Sequence, residues 1–561
     1  MKRKKLFGFS ILATLLLSSC EWPFPIIDYN EEPSSSEAPI SFDEFNEQDN
    51  QGYKNYIPSG ERPTYKYLNE LNGISTINST GEQKLLVVPV EFSDYPASEL
   101  DSAGGEITRQ RLKKAFFGSS DDTVFESVAS YYYKSSYGAL NFSGEVTNWV
   151  DLGVTTSYLS EYVANNKNNP NYAGMDGSYF ALEKVYEQLD AALLNEYDQD
   201  NDGEIDAIFL VYSAPNFLNS EKTLYDERTG RNYTTQLDSN VFWAYVFWYY
   251  GNKEAIDPSD TNKPVPGVYA WASHDFLYNR YGDSEIDAHT YIHEVGHILG
   301  LDDYYDYGGK KAPLGYIDMM DGTIGDHNPF SKFALGWIDP IVVTGDSDIT
   351  LRPFHSSGDV ILINNNWNNT PFDEYIMIEY YTPGGLNYMD AFYPNNPFSN
   401  VLMGFSEPGI RLLHVDARLV RSAYYLDDGV RTLNVRETKY VDEIEAPSTA
   451  IAGRNQTPHT YFTEVAHSNT IDPFNPRSVV NEHYSLIEIV KADQGKPNRT
   501  PTLFDQLFGD PSNKYVATND SLYKEGSAFK LLNFNSGESI GYAVKIGSLT
   551  EEGAKIQIRS Y

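Results

Sequence analysis

The chain has 561 residues, of which 41% are hydrophobic and 14% aromatic, and its formal net charge is −37 at pH 7. That length exceeds one ordinary domain and that apolar content excludes a disordered polymer, so at least two packed cores are expected. So acidic a surface repels phosphate backbones, which excludes nucleic acid as a partner; its simplest role is colloidal solubility, and it also suits divalent cations.

Taken in chain order, the first feature is a basic start, Lys2 to Lys5, followed by an apolar run from Leu6 to Leu17. The run is too short to span a bilayer comfortably and reads as an export signal. It ends in Leu17-Ser18-Ser19-Cys20, which resembles the lipobox of bacterial lipoproteins. Residues 1–20 are therefore expected to be a lipoprotein signal peptide, with Cys20 lipidated. The mature chain would then sit on the extracellular face of a bacterial membrane. Cys20 is the only cysteine, so no internal disulfide is possible. Residues 21–80 begin acidic and rich in Ser and Pro, and are expected to be a tether or a pro-segment.

Ordered structure is expected over 81–340. Lys84–Phe92 reads as a buried strand closed by Ser93-Asp94-Tyr95-Pro96. Helical spacing follows over 108–117, 124–133 and 179–194, with strands over 140–149 and 206–212. Between the last helix and strand lies Asp198-Gln199-Asp200-Asn201-Asp202-Gly203-Glu204-Ile205-Asp206. Alternate carboxylates with a Gly for the turn suit Ca²⁺. Asp198, Asp200, Asp202 and Asp206 are the expected side-chain ligands, with Glu204 ligating through its backbone. Position twelve is Phe209 and a strand follows, so the loop departs from an EF-hand. A solvated acidic turn is the alternative.

Residues 293–303 read His-Glu-Val-Gly-His-Ile-Leu-Gly-Leu-Asp-Asp. Positions four apart on a helix lie one above the other, so His293 and His297 can present nitrogens to one Zn²⁺. Glu294 beside them is placed to act as general base toward a water whose pKa zinc lowers to about 7. Gly300 allows the left-handed stop that lets the chain reverse toward the metal. Asp303, six residues beyond His297, has the spacing at which metzincin-type sites place a third ligand; Asp302 and Asp306 compete for that role.

This run, with Tyr304-Tyr305-Asp306, resembles the signature of immune inhibitor A-type metallopeptidases. Gly315-Tyr316-Ile317-Asp318-Met319-Met320 resembles the same family's Met-turn, with Met320 as the floor residue, and Lys332–Trp337 its closing segment. Ser130–Gly138 and Gly409–Asp416 resemble further blocks of the family. The resemblance implies an endopeptidase acting on protein or peptide substrates, with Zn²⁺ and often Ca²⁺. It also implies an α+β zincin-like catalytic domain, a mixed sheet with an active-site helix. No Tyr stands two residues after Met320, so the oxyanion helper is unassigned; His327 is one candidate.

Past 340 short strands alternate with Gly, Pro and Asn, and residues 341–561 are expected to form an all-β, sandwich-like region. Within it His414 and Asp416 fall on one face of a strand and are expected to be a hydrogen-bonded pair, with metal binding as the alternative. A non-catalytic adhesin or ligand-binding lipoprotein with a zincin-like shell is the competing function. Glu294 argues against it, since a mere metal binder needs no general base.

Overall fold

The computed structural model describes residues 41–561, apart from 59–61, 167–175, 217–221, 227–230, 236–239, 250–262, 279–284, 308–311, 394–403, 428–429, 434–438, 453–456, 471–483, 493–516 and 532. Cys20 lies outside that set. Strand β1 (Gln51–Asn55) and helix α1 (Tyr65–Leu71) precede β2 (Gly81–Glu91), and α2 (Glu106–Phe117) and α3 (Val128–Ser135) follow. Next come β3 (Leu140–Val146), β4 (Val150–Asp151), α4 (Thr156–Asn166), α5 (Asp176–Gln188) and α6 (Ala191–Leu194). Strands β5 (Glu204–Ile205) and β6 (Ile208–Tyr212) lead to the antiparallel pair β7 (Lys222–Asp226) and β8 (Arg231–Thr235). Then follow β9 (Tyr245–Trp248), β10 (Val265–Pro266), β11 (Val268–Ser273), helix α7 (His289–Ile298) and helix α8 (Pro329–Ala334).

A six-stranded mixed sheet in the order β3-β2-β6-β11-β9, with β4 also on β2, organises this half. Strands β3, β4 and β6 run parallel to β2, β11 runs parallel to β6, and β9 closes the edge antiparallel. Its central strands are apolar at almost every position because both faces are covered. Leu85, Val87, Phe209 and Val211 face one core with Phe116, Tyr131, Tyr132 and Tyr291 of α2, α3 and α7. Leu86, Val88, Leu210 and Tyr212 face the other with Leu159, Leu182 and Val185 of α4 and α5.

Two helix boundaries differ from the sequence expectation, each for a local reason. Helix α3 begins only after Ser127, whose Oγ accepts from Ser130 N at 3.0 Å while Ser130 Oγ accepts from Ser127 N at 2.9 Å. That reciprocal capping box overrides the apolar spacing upstream. The single helix expected over 179–194 is two, because Asp190 breaks it and caps α6 by accepting from Ala192 N at 2.8 Å.

Beyond residue 340, β12 (Ile341–Leu351), β13 (Val360–Ile363), β14 (Glu374–Tyr381) and β15 (Gly409–Asp416) open a nine-stranded sheet. Strand β1, at the other end of the chain, pairs antiparallel with β12. A separate five-stranded sheet contains the antiparallel strands Leu419–Asp427 and Thr457–Val465. Period-2 alternation is clean here: Val360, Leu362, Tyr375 and Met377 join the core of α7, while Ile361, Ile363, Ile376 and Ile378 pack a third core on the opposite face. One hydrophobic core thus runs from helix α7 across residue 340. Residues Phe42–Tyr561 cluster as one compact unit. The amino-terminal segment takes part in it: Tyr56, Tyr65, Leu68 and Ile77 are buried in the same core as α7.

Candidate metal centre

Helix α7 carries His293, Glu294 and His297 and ends in a full Schellman motif. Gly300, at φ +98°, donates to His297 O at 2.9 Å, and Leu301 donates to Gly296 O at 3.0 Å. Only glycine enters that backbone region without strain, so the chain turns back at once. The turn brings Asp303 Oδ1 to 3.0 Å from His293 Nε2 and 3.4 Å from His297 Nε2. One ligand atom from each of the three residues lies within 4.8 Å of the others. Asp303, and not Asp302 or Asp306, is the carboxylate gathered with the two imidazoles.

The histidines are oriented from behind. Nδ1 of His293 lies 2.8 Å from Met319 O, and Nδ1 of His297 lies 2.7 Å from Leu301 O. A carbonyl accepts only from N–H, so each Nδ1 carries a proton, and each Nε2 is left facing Asp303 Oδ1, where it would turn its lone pair to a metal bound between them. Two imidazole lone pairs and one carboxylate oxygen, turned to a common point, are the donor set of a metal site with a position left open. Glu294 is 4% exposed, and its Oε2 has no hydrogen-bond partner among the described residues. Burial raises its pKa, opposed by the neighbouring histidines. A buried, unsatisfied carboxylate oxygen beside the ligands is costly unless something else comes to meet it.

The expected floor residue, Met320, is buried directly under α7: a Cβ on Gly296 would stand 2.4 Å from its Sδ. Asp318 fixes this turn. Its Oδ1 accepts from Met320 N at 2.8 Å, and its Oδ2 accepts from Asn328 N and Nδ2, both at 2.8 Å. Sequence reasoning singled out neither Asp318 nor Asn328 as a clamp, and the Asp-x-Met spacing was the available signal. It also missed Tyr307, whose hydroxyl donates to Asp303 Oδ2 at 2.6 Å.

One candidate is set aside and one expectation is corrected. His327 is no oxyanion helper: its side chain is fully buried, boxed by Tyr131, Tyr132 and Trp337 at ring distances of 5.5, 5.9 and 6.0 Å. His414 and Asp416 are not one bonded pair but members of a larger buried cluster. His414 lies 2.9 Å from Glu374 and 3.2 Å from Glu488, while Asp416 takes two hydrogen bonds from Arg418. Burial alone would lower the His414 pKa, but the two glutamates push it up to about 10.

In the acidic loop, carboxylates of Asp198, Asp200 and Asp202 come within 4.8 Å of one another. Asp198 Oδ2 accepts from Gly203 N at 3.2 Å, while its buried Oδ1 has no hydrogen-bond partner among the described residues. Asp206 instead accepts from Gln199 N at 2.9 Å, and burial raises its pKa to about 6. Glu204 N donates to Asp202 Oδ1 at 2.7 Å.

Residues 74–328 match the family described as Immune inhibitor A peptidase M6, catalytic domain. Immune inhibitor A of Bacillus thuringiensis subsp. alesti is 23% identical over 266 residues, covering 43% of this chain and 36% of that protein. Pre-pro-metalloprotease PrtV of Vibrio cholerae serotype O1 (strain M66-2) is 24% identical over 294 residues, covering 45% of this chain and 29% of that protein. The match thus spans about a third of each relative's length. The His293–Glu294–His297 helix lies inside the segment, residues 74–328, that matches the immune inhibitor A peptidase M6 catalytic domain.

Proposed function

We propose that the protein is a zinc-dependent endopeptidase that hydrolyses extracellular proteins, with Glu294 as its general base. The observation that carries this is the convergence of His293 Nε2, His297 Nε2 and Asp303 Oδ1 beside the buried, unpartnered Oε2 of Glu294. Zinc held there supplies a Lewis acid that polarises the scissile carbonyl and acidifies a water. The chain's own residues do the rest. His293 and His297 bind through Nε2 because their Nδ1 protons are held by carbonyls. Glu294 takes the proton of the attacking water and passes it to the leaving amine. Its burial, by raising its pKa, makes it the stronger base.

The mixed sheet with α7 packed on one face supports a zincin-like organisation of the catalytic half. The two β sheets after residue 340 support a sandwich-like carboxyl-terminal region. For location, the leader ending at Cys20 supports export and lipid anchoring on the outer face of a bacterial membrane. Among the described residues no helix is long and apolar enough to cross a membrane. We read the 198–206 loop as a Ca²⁺ site supporting β6, on the clustered carboxylates of Asp198, Asp200 and Asp202. Its test is calcium titration: a raised melting temperature and slower proteolysis near residue 200 are expected, and neither effect appearing rejects the site.

The principal test is cleavage of casein by residues 21–561 with and without chelator. Glu294→Gln is expected to keep its zinc and lose at least about 100-fold in turnover, the usual scale of general-base catalysis. Turnover at the parent rate would reject the mechanism.

A further inference from the structure

The two oxygens of the Asp303 carboxylate have different surroundings. Oδ1 faces the Nε2 atoms of His293 and His297, at 3.0 and 3.4 Å. Oδ2 accepts from the Tyr307 hydroxyl at 2.6 Å. Asp303 is only 7% exposed, so an oxygen left without a donor there would be expensive. Tyr307 is 55% exposed, so its ring stands at the surface while its hydroxyl reaches inward. Tyr305 props it: its ring lies 5.5 Å from that of Tyr307 and 6.4 Å from that of His293, tilted 31° to the imidazole.

We propose that Tyr307 is a positioning residue of the metal centre: by holding Oδ2 of Asp303 it presents Oδ1 alone to the ion that His293 and His297 share. This rests on the zinc reading above. A carboxylate can offer one oxygen or two, and a free Oδ2 would swing toward the ion and fill the place that water and substrate need. A phenol, with an ordinary pKa of about 10, remains a donor throughout the neutral range. Hydrogen bonds to metal-ligating groups of this kind commonly govern affinity by about 10–100-fold.

The test is Tyr307→Phe in the full chain. The exposed ring is retained, so the variant is expected to fold as the parent does, with its melting temperature lowered only by the loss of one buried hydrogen bond. The zinc dissociation constant, measured by competition with a chromophoric chelator, should rise about 10–100-fold. In the cobalt-substituted protein the visible absorption bands should weaken as the carboxylate adds its second oxygen. At saturating zinc, kcat should fall with KM little changed. A parent-like zinc affinity together with a parent-like cobalt spectrum would overturn the role of Tyr307. His297→Ala separates this from failure of the underlying reading. If that variant loses zinc while Tyr307→Phe keeps it, only the positioning role is wrong. If His297→Ala binds zinc like the parent, the metal centre itself is wrong, and the role of Tyr307 with it.

Discussion

Gly296 lies between His293 and His297, where α7 presses on the turn beneath it. A methyl group there would meet Met320 Sδ at 2.4 Å and Met320 Cε at 3.0 Å. Two effects of Gly296→Ala oppose each other. Alanine improves an exposed helix interior by about 1 kcal/mol, whereas overpacking a dense core costs about 1–3 kcal/mol. Met320 is fully buried, and its backbone is pinned by Asp318 on one side and Tyr304 on the other. Its flexible side chain can therefore give only part of the way, and overpacking wins. Gly296→Ala is expected to destabilise by about 1–2 kcal/mol in urea unfolding. Combined with Met320→Ala, it should cost less than the two single changes added together. Strict additivity would show that the two residues do not press on each other. At this scale the sequence was legible where helix geometry alone decides: His293, Glu294 and His297 follow from spacing, and Asp303 from a short reversal. Tyr307, Asp318 and Asn328 were not, because their roles depend on which way side chains turn after the chain has folded back.

Elements show the same division. The buried strands β2 and β6 announce themselves by continuous apolar runs, and α2 by its periodicity. Strand β1 and helix α1 do not, since their sequences, Gln-Gly-Tyr-Lys-Asn and Tyr-Lys-Tyr-Leu-Asn-Glu-Leu, are polar and short. They form because distant partners stabilise them: β12 for β1, and for α1 the Gly300 turn, where Tyr65 Cβ would stand 3.1 Å from an added Cβ. Asn469 is another connection invisible in sequence. Its side chain, 2% exposed, donates to Tyr304 O at 3.1 Å and to Ile487 O at 2.9 Å, and accepts from Ile487 N at 3.1 Å. It therefore ties the β region to the residue next to Asp303, the candidate third ligand. Asn469→Ala leaves these backbone groups buried without that partner, at about 1–3 kcal/mol for each group not rehydrated. A loss of about 2–4 kcal/mol in stability is expected, accompanied by weaker zinc binding, since the Asp303 loop loses its anchor. Stability lost with zinc affinity intact would show that the anchor does not reach the site.

For the whole molecule, the change of sequence texture at residue 340 suggests a boundary between a catalytic domain and a β domain, yet the core passes straight through it. Phe333, just before that point, packs against Tyr56 at 5.5 Å and Tyr375 at 6.5 Å between ring centres. Tyr65 packs on Phe372 at 5.5 Å. Residues from three separate stretches of chain thus share one apolar cluster. Texture reports which secondary structure a segment prefers; it is silent about which surface that structure covers. Burying one such aromatic or aliphatic side chain contributes about 1.5–3 kcal/mol, and a whole domain is stable by only about 5–15 kcal/mol. Removing 341–561 would uncover the partners of Tyr375, Met377, Leu413 and Val415, all fully buried, and removing 42–80 those of Tyr56, Tyr65, Leu68 and Ile77. Either loss equals most of the stability a domain has. Residues 81–340 expressed alone are therefore expected to show no cooperative thermal transition, and 42–340 likewise, whereas 42–561 should melt as one unit. In calorimetry, a sharp transition from 81–340 alone would establish an independent catalytic domain. It would also mean that the shared core is an interface between domains and not a condition of folding.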